Sequence, residues 1–411
     1  MSADTETLPK KNTQGPYSLI EDRLERLRME HRYRFLRRVD TAQEARIILD
    51  GESVLLFCSN NYLGLAHHPD LQAAAHEAVD RFGCGSGASR LISGNMNLHE
   101  ELEERLARFK QYPACILFGS GYAANVGILS SLMEAGDVIF SDALNHASII
   151  DGCRLSRADV KIFRHRDTDH LESLMADAAG YRKRLIVTDT LFSMDGDLAP
   201  LPDLVRLARR HDSMLMIDEA HAVGVMGSNG RGVAEHYGLD DAADISVGTL
   251  GKALGSFGAF AVCRPEVREF LLNHARSLIY STSLPPPVLA AAAKALEILE
   301  AEPERRERLV ENANRLARGI RALGFSVPDP VTPIQSVIMG EEDKAMGLCE
   351  QLIMRGVYAQ GIRPPTVPPE TSRIRFSLMA THTDADIREA LDALSVSLAA
   401  LDSQTLRRIP E

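Results

Sequence analysis

Lys252 stands in the run Ser246-Val-Gly-Thr-Leu-Gly-Lys-Ala-Leu-Gly-Ser256. A lysine amine becomes a nucleophile when burial or a nearby positive charge lowers its pKa. Gly251 and Gly255 would let a flat ligand approach the backbone beside it. Upstream, Met216-Ile-Asp-Glu-Ala-His-Ala222 carries Asp218 and His221. Asp218 follows the apolar run Met214–Ile217, so its carboxylate would lie at the mouth of a buried strand, where it needs a cation. His146, in Leu144-Asn-His-Ala-Ser148, offers a ring that could stack on another. Gly119-Ser-Gly-Tyr-Ala-Ala124 follows an apolar run and opens a helical pattern, so its amides and the helix dipole would suit a phosphate. A nucleophilic amine, a buried acid, a stacking ring and a phosphate cradle are what pyridoxal 5′-phosphate (PLP) requires, with the acid keeping the pyridine nitrogen charged.

Each residue alone has an ordinary explanation: a capping aspartate, a solvated lysine, a loop histidine. Two motifs also suggest other chemistry. Asp218-Glu-Ala-His221 spells the DEAH box of helicases, which needs an upstream GxxxxGK[ST] loop. At Lys252 the first glycine position holds Ser246, Ala253 replaces Ser/Thr, and the lysine follows the acidic box instead of preceding it. Gly119 to Ala124 also fits G-x-G-x-x-A, with Asp142 past the next strand, as in a nicotinamide dehydrogenase. A second glycine match, Gly83 to Ala88, follows a helical segment. The dinucleotide reading gives Lys252, Asp218 and His146 no shared role. A catalytically dead scaffold subunit would be expected to lack the lysine.

The elements that must position these residues are visible as apolar runs. Strands are expected at Cys115–Phe118, Val138–Phe140, Val160–Phe163, Leu185–Thr188, Met214–Ile217, Ile245–Gly248 and Ala259–Cys263, separated by helix-length segments. That alternation predicts an α/β fold, a mainly parallel sheet covered on both faces, with ligands at the carboxyl ends of the strands. Gly119, Asp218 and Thr249 all follow such ends. After Pro285-Pro-Pro287 the pattern changes to a helix over 288–323, strands at Gln335–Met339 and Arg373–Leu378, and a last helix with Ile387, Leu391, Leu394, Leu398 and Leu401 on one stripe and Asp384 as its cap. The division expected is a disordered tail (1–16), an N-terminal arm (17–60) with a basic helix over 18–38, a large cofactor domain (61–287) and a smaller α+β domain (288–411).

The 411 residues, 45% hydrophobic, suffice for a large core. A net charge of -11 argues against nucleic acid as a partner. The run Arg305 to Arg308 reads as a solvated helix face. Six scattered cysteines without CxxC spacing suggest buried thiols in a reducing cytoplasm and no metal. Residues 1–16 carry no apolar signal segment, and no apolar run is long enough to cross a membrane, so a cytoplasmic location is expected.

From about residue 24 to 400 the chain resembles the α-oxoamine synthases, a family of fold-type I PLP-dependent transferases (aspartate aminotransferase-like). The matching motifs are Ser59-Asn-Asn-Tyr-Leu-Gly-Leu65, Gly85-Ser-Gly-Ala-Ser-Arg90, Leu144-Asn-His-Ala-Ser148, Phe192-Ser-Met-Asp-Gly196, Asp218-Glu-Ala-His-Ala222, Gly230-Arg-Gly232 and Tyr280-Ser-Thr-Ser283, in family order. The resemblance implies a Schiff-base role for Lys252, which would also act as base, Asp218 on the pyridine nitrogen, and His146 on the ring and in catalysis. Ser193 and His221 would contact the phenolic oxygen. Gly121, Tyr122 and Thr249 would hold the phosphate, and Ser281 and Thr282 would reach the phosphate of a partner subunit in a homodimer with shared sites. Arg363, with Asn60 nearby, would bind the amino-acid carboxylate, and Arg34 and Thr366 would touch the acyl thioester, carried on coenzyme A or an acyl carrier protein. The family includes glycine C-acetyltransferase, 5-aminolevulinate synthase, serine palmitoyltransferase and an enzyme that joins L-alanine to a pimeloyl thioester. Ile362-Arg-Pro-Pro-Thr-Val-Pro368 resembles the last most closely. Asn61, Asp189-Thr190 and Tyr122 depart from the residues common in the family.

Overall fold

The computed structural model describes residues 15–406. All seven expected strands form, each within two residues of its expected ends, and they make one sheet. In chain order they are preceded by β1 (Arg46–Leu49) and β2 (Glu52–Leu56), and are β3 (Ala114–Phe118), β4 (Val138–Asp142), β5 (Asp159–Phe163), β6 (Arg184–Asp189), β7 (Met214–Asp218), β8 (Ile245–Thr249) and β9 (Ala259–Cys263). The order across the sheet is β3-β9-β8-β7-β6-β4-β5. Strands β8, β7, β6, β4 and β5 run parallel, and β9 is antiparallel to both its neighbours.

Period-2 alternation explains why both faces are covered. Leu185, Val187, Met216 and Val247 face one apolar cluster, which includes Ile128 and Ile149 from the helices Gly121–Leu132 and Ala147–Ser156. Ile186, Leu215, Ile217 and Phe260 face the other, with Leu102, Leu204 and Leu296 from the helices Asn97–Lys110, Leu201–Arg210 and Pro286–Ala301. Apart from the exposed edge strand β5, the strands are therefore buried on both sides, and their carboxyl ends collect Asp142, Asp189, Asp218 and Thr249 along one edge.

Beyond the large sheet lie β10 (Ile334–Gly340), β11 (Val357–Tyr358), β12 (Gln360–Ile362) and β13 (Ser372–Ser377). Strands β10, β13 and β12 form an antiparallel sheet, while β11 pairs with β2 beside β1, tying the arm to the C-terminal region.

Four expectations need correction. The arm helix covers Pro16–Met29 and ends there; Arg32 to Arg38 run without helix. The helix expected over 288–323 is two, Pro286–Ala301 and Glu304–Ala322, because Pro303 lacks the N–H that a continuous helix would need. The last helix, Asp384–Leu406, is capped by Thr383 and not by Asp384: Thr383 Oγ1 accepts the Asp386 amide (3.2 Å) and Asp386 Oδ2 accepts the Thr383 amide (2.9 Å). Within the basic run, Arg306 is buried, donating to the carbonyls of Leu299 (2.6 Å) and Ser228 (3.0 Å). Of the cysteines, Cys84 is exposed. The tail expected to be disordered lies, for residues 1–14, outside the described residues.

Candidate active site

Asp218 ends β7 with its carboxylate buried and doubly held. Oδ2 accepts the Asn125 side-chain amide at 2.6 Å and Oδ1 accepts the Ala220 backbone amide at 2.8 Å. The same Asn125 amide donates to Ser148 Oγ (2.9 Å), and Ser148 Oγ lies 2.7 Å from His146 Nδ1. Since Ser148 Oγ accepts from Asn125, its own proton is free to go to His146 Nδ1, and the Ser148 amide also points there at 3.3 Å. Nδ1 is therefore an acceptor and the ring proton sits on Nε2. Burial agrees: it holds the His146 pKa below its ordinary value, with Lys252 adding to the effect and Asp218 opposing it. A chain of hydrogen bonds thus links the acid to the stacking ring through two side chains that no sequence motif had marked for a role.

Lys252 lies in the turn after β8, beside Asp218 in the electrostatic sense. Burial lowers its pKa from 10.5 to about 8; Asp218 and Asp189 pull it back up, and Arg375 pushes it down. The turn depends on Gly255, at φ +62°, where a Cβ would come within 2.6 Å of the Ala66 amide nitrogen. Asp189 ends β6 in register with Asp218, and its Oδ2 accepts the His146 backbone amide at 2.7 Å. Burial and the adjacent Asp218 push its pKa well above its ordinary value.

His221 is also buried. Its Nδ1 lies 2.7 Å from the Tyr62 hydroxyl. Burial pushes the Tyr62 pKa up to about 12; burial, Lys252 and Arg375 hold the His221 pKa well below its ordinary value.

The turn at Gly119–Ala124 opens a helix, as expected. Ser120 caps the helix Gly121–Leu132: its Oγ accepts the Ala123 amide (3.1 Å) and its carbonyl the Ala124 amide (2.9 Å). The amides of Gly121 and Tyr122 have no partner among the described residues, and a Cβ on Gly119 or Gly121 would meet nothing within 4 Å. That is open space lined by free donors at a helix N-terminus, which suits a phosphate. Thr249 Oγ1 donates to the Gly258 carbonyl (3.0 Å) and accepts the Gly251 amide (3.2 Å), ordering the neighbouring turn. The Tyr122 hydroxyl donates to Asp151 and the side chain is exposed. Ser281 and Thr282 are exposed and share a small cavity with Gly119 of the same chain. The donor set therefore fits PLP: an amine, a buried carboxylate for a ring cation, a neutral imidazole, and free amides for a dianion.

Ser193 and His146 both line a cleft of about 820 Å³, walled also by Arg32, Ile150 and Pro364 to Pro369. Thr366 belongs to this cleft and to a second cavity of about 230 Å³ with Arg34 and Arg363. Arg34 donates to Thr366 Oγ1 at 3.4 Å, so the two expected acyl residues do meet. Arg363, expected at the amino-acid carboxylate, donates its guanidinium to the Tyr33 carbonyl (2.7 Å) and to Met346 Sδ (3.0 Å). The arginine that acts on Lys252 and His221 is Arg375, on β13, 6% exposed and donating to Asn60 Oδ1 at 3.2 Å. Sequence reasoning missed it because it sits inside an apolar-alternating strand; its spacing two residues from Arg373, on a strand flanking the site, was the signal on offer. Asn61, noted as a departure, is structural: it bridges the Gln43 carbonyl (2.9 Å) and the Ala66 amide (3.1 Å).

Residues 52–394 match the family described as aminotransferase class I and II. An 8-amino-7-oxononanoate synthase from Geobacter sulfurreducens is 51% identical over 378 residues, spanning 92% of this chain and 97% of that protein. Among solved structures, a serine palmitoyltransferase from S. paucimobilis is similar with a TM-score of 0.89 at 32% identity, covering 94% of this chain and 98% of that one. An 8-amino-7-oxononanoate synthase from Francisella tularensis is similar with a TM-score of 0.74 at 31% identity, covering 84% and 98%.

Proposed function

The chain belongs to the class I and II aminotransferase family, in its PLP-dependent α-oxoamine synthase branch, and on that footing we propose that it condenses L-alanine with a pimeloyl thioester, releasing carbon dioxide and the thiol carrier to give 8-amino-7-oxononanoate. The reading includes a cytoplasmic homodimer. The observation that carries it is the desolvated Lys252 amine set between Asp218, Asp189 and Arg375 at the carboxyl edge of the sheet. The 51% identity to a named 8-amino-7-oxononanoate synthase supports the substrate pair.

When bound, PLP supplies an electron sink that makes a bond at the amino-acid Cα breakable. The chain's residues do the rest. Asp218, fixed by Asn125 and the Ala220 amide, would keep the ring nitrogen charged. The amides of Gly121 and Tyr122, with Thr249, would hold the phosphate. His221 and the Ser193 hydroxyl would contact the phenolic oxygen. His146 would lie against the ring, its orientation set by Ser148 and its backbone by Asp189. Lys252, once displaced by the substrate amine, would take a proton from the alanine Cα; a pKa of about 8 lets it serve as base near neutrality. Arg375, steadied by Asn60, would grip the carboxylate, orienting the Cα–H bond and later the bond to carbon dioxide. The cavity with Arg34 and Thr366 and the adjoining cleft would take the acyl chain, and the arm arginines Arg32, Arg34 and Arg37 lining them would favour an anionic carrier, coenzyme A or a carrier protein.

The likeness to serine palmitoyltransferase structures keeps a second substrate pair in view, and the family a third, glycine with an acetyl thioester. Offering alanine, glycine and serine against pimeloyl, acetyl and palmitoyl thioesters separates them. Alanine with pimeloyl should give the highest kcat/KM; a dominant glycine–acetyl or serine–palmitoyl rate would reject the proposal.

A further inference from the structure

His165 takes no part in the site just described, yet it touches the supports of two of its turns. It follows β5, with Nδ1 2.9 Å from Asp142 Oδ1 and Nε2 3.0 Å from Asp197 Oδ2. A neutral imidazole carries one proton and one lone pair. Here the lone pair would face a carboxylate oxygen on whichever side it lay, so the two contacts together require both nitrogens to be protonated. The ring meets the Phe192 ring edge-on, centroids 4.4 Å apart. The charged groups around it are Asp142 from β4, Asp197 from the 192–197 turn and Arg166 from its own turn. Arg166 adds a guanidinium bond to Asp197 Oδ2 (2.9 Å) and a backbone bond to Asp142 Oδ2 (3.0 Å), and holds a left-handed φ of +58° to do both.

Each carboxylate in turn anchors a turn that bears a site residue. Asp142 Oδ1 accepts the Leu144 amide (2.8 Å) and its carbonyl accepts the Asn145 amide (3.2 Å), which shapes the turn ending in His146. The Asp197 carbonyl accepts the Phe192 amide (3.0 Å), closing the turn that holds Ser193. We propose that His165 is a positioning residue: its imidazolium rivets the Asp142 turn to the Asp197 turn and so fixes the separation of His146 and Ser193, which line one cleft. The role rests on the reading of those two residues as cofactor contacts; the protonation state does not.

The tests keep the two apart. In holoenzyme carrying ¹⁵N-histidine, the ring resonances lost in a His165 variant should show two protonated nitrogens at pH 7. His165→Gln can donate to only one carboxylate and should lower kcat/KM at least about tenfold and shift the cofactor absorbance, while His165→Arg, whose fork can reach both acids, should recover part of each. A single protonated ring nitrogen at pH 7 would overturn the bridge, whatever the substrates are. Wild-type kcat/KM and spectrum in His165→Gln, or a Gln variant that outperforms Arg, would overturn the positioning role. If neither variant folds, the wild-type spectrum, assigned by pH-independent coupling patterns, still decides the bridge.

Discussion

Lys252 and Arg375 define the site at the scale of single residues. Burial lowers the Lys252 pKa to about 8, so in cofactor-free protein its proton leaves as pH rises through 8, not 10.5. At pH 8 about half the amine should be neutral, against well under 1% for an ordinary lysine. Reductive methylation of the apoprotein, followed by peptide mass spectrometry, should give a midpoint near pH 8 at Lys252; a midpoint near 10.5 would contradict the burial argument. Arg375→Lys should raise KM for the amino acid roughly tenfold or more with little change for the thioester. Arg363→Lys should act mainly on the thioester, because Arg363 packs against the arm. The opposite pattern in steady-state kinetics would restore the sequence-based choice. Lys252, Asp218, His146 and the glycine turn were legible because each stands in a motif whose chemistry has a reason. The contacts of Asn125 with Asp218, Tyr62 with His221 and Arg375 with Asn60 were not, because they join elements far apart in sequence.

The elements explain how such distant residues meet. The inner sheet strands were readable because burial on both faces favours short, apolar-rich runs; the exposed edge strand β5 was marked by Val160 and Ile162. Strands β1, β11 and β12 escaped notice because they are short, and β1 and β2 begin with exposed residues. Pro303 broke a pattern whose apolar spacing alone suggested one helix. The turn carrying Ser193 is fitted against β10: Gly196 has φ +75°, and a Cβ there would lie 2.1 Å from the Ile334 carbonyl. Gly196→Ala should cost more than about 2 kcal/mol, measured by urea unfolding, and should depress activity even where the protein folds. The His165 rivet gives a pH signature. Burial works against its charge, but Asp142 and Asp197 prevail and push its pKa up to about 9. A raised folded pKa stabilises fully below the unfolded value of 6.5 and loses that contribution as pH rises through 9. The Tm gap between wild type and His165→Gln should therefore be widest near pH 6 and close above pH 9; a gap independent of pH would contradict a charged bridge.

At the scale of the whole molecule, the proposed homodimer would give several exposed apolar residues a surface to cover them. Tyr17, Ile20, Met29 and Leu36 on the arm, Ile92, Phe257 and Tyr280 are all open to solvent. Ile92 and Tyr280 flank the segment that brings Ser281 and Thr282 beside the phosphate cradle. If these two serve the partner's phosphate, a one-to-one mixture of refolded Lys252→Ala chains with Ser281→Ala/Thr282→Ala chains should regain about a quarter of wild-type activity, since half the dimers are mixed and each mixed dimer holds one intact site. No recovery, with dimers confirmed by mass, would place the two residues in the site of their own chain.

The central claim is that one amine, Lys252, forms the covalent bond to the cofactor. Borohydride reduction of the PLP-loaded protein followed by peptide mass spectrometry tests it directly. A pyridoxyl adduct confined to the peptide containing Lys252 is the predicted result; an adduct on another lysine, or none from protein that retains activity, would contradict the account.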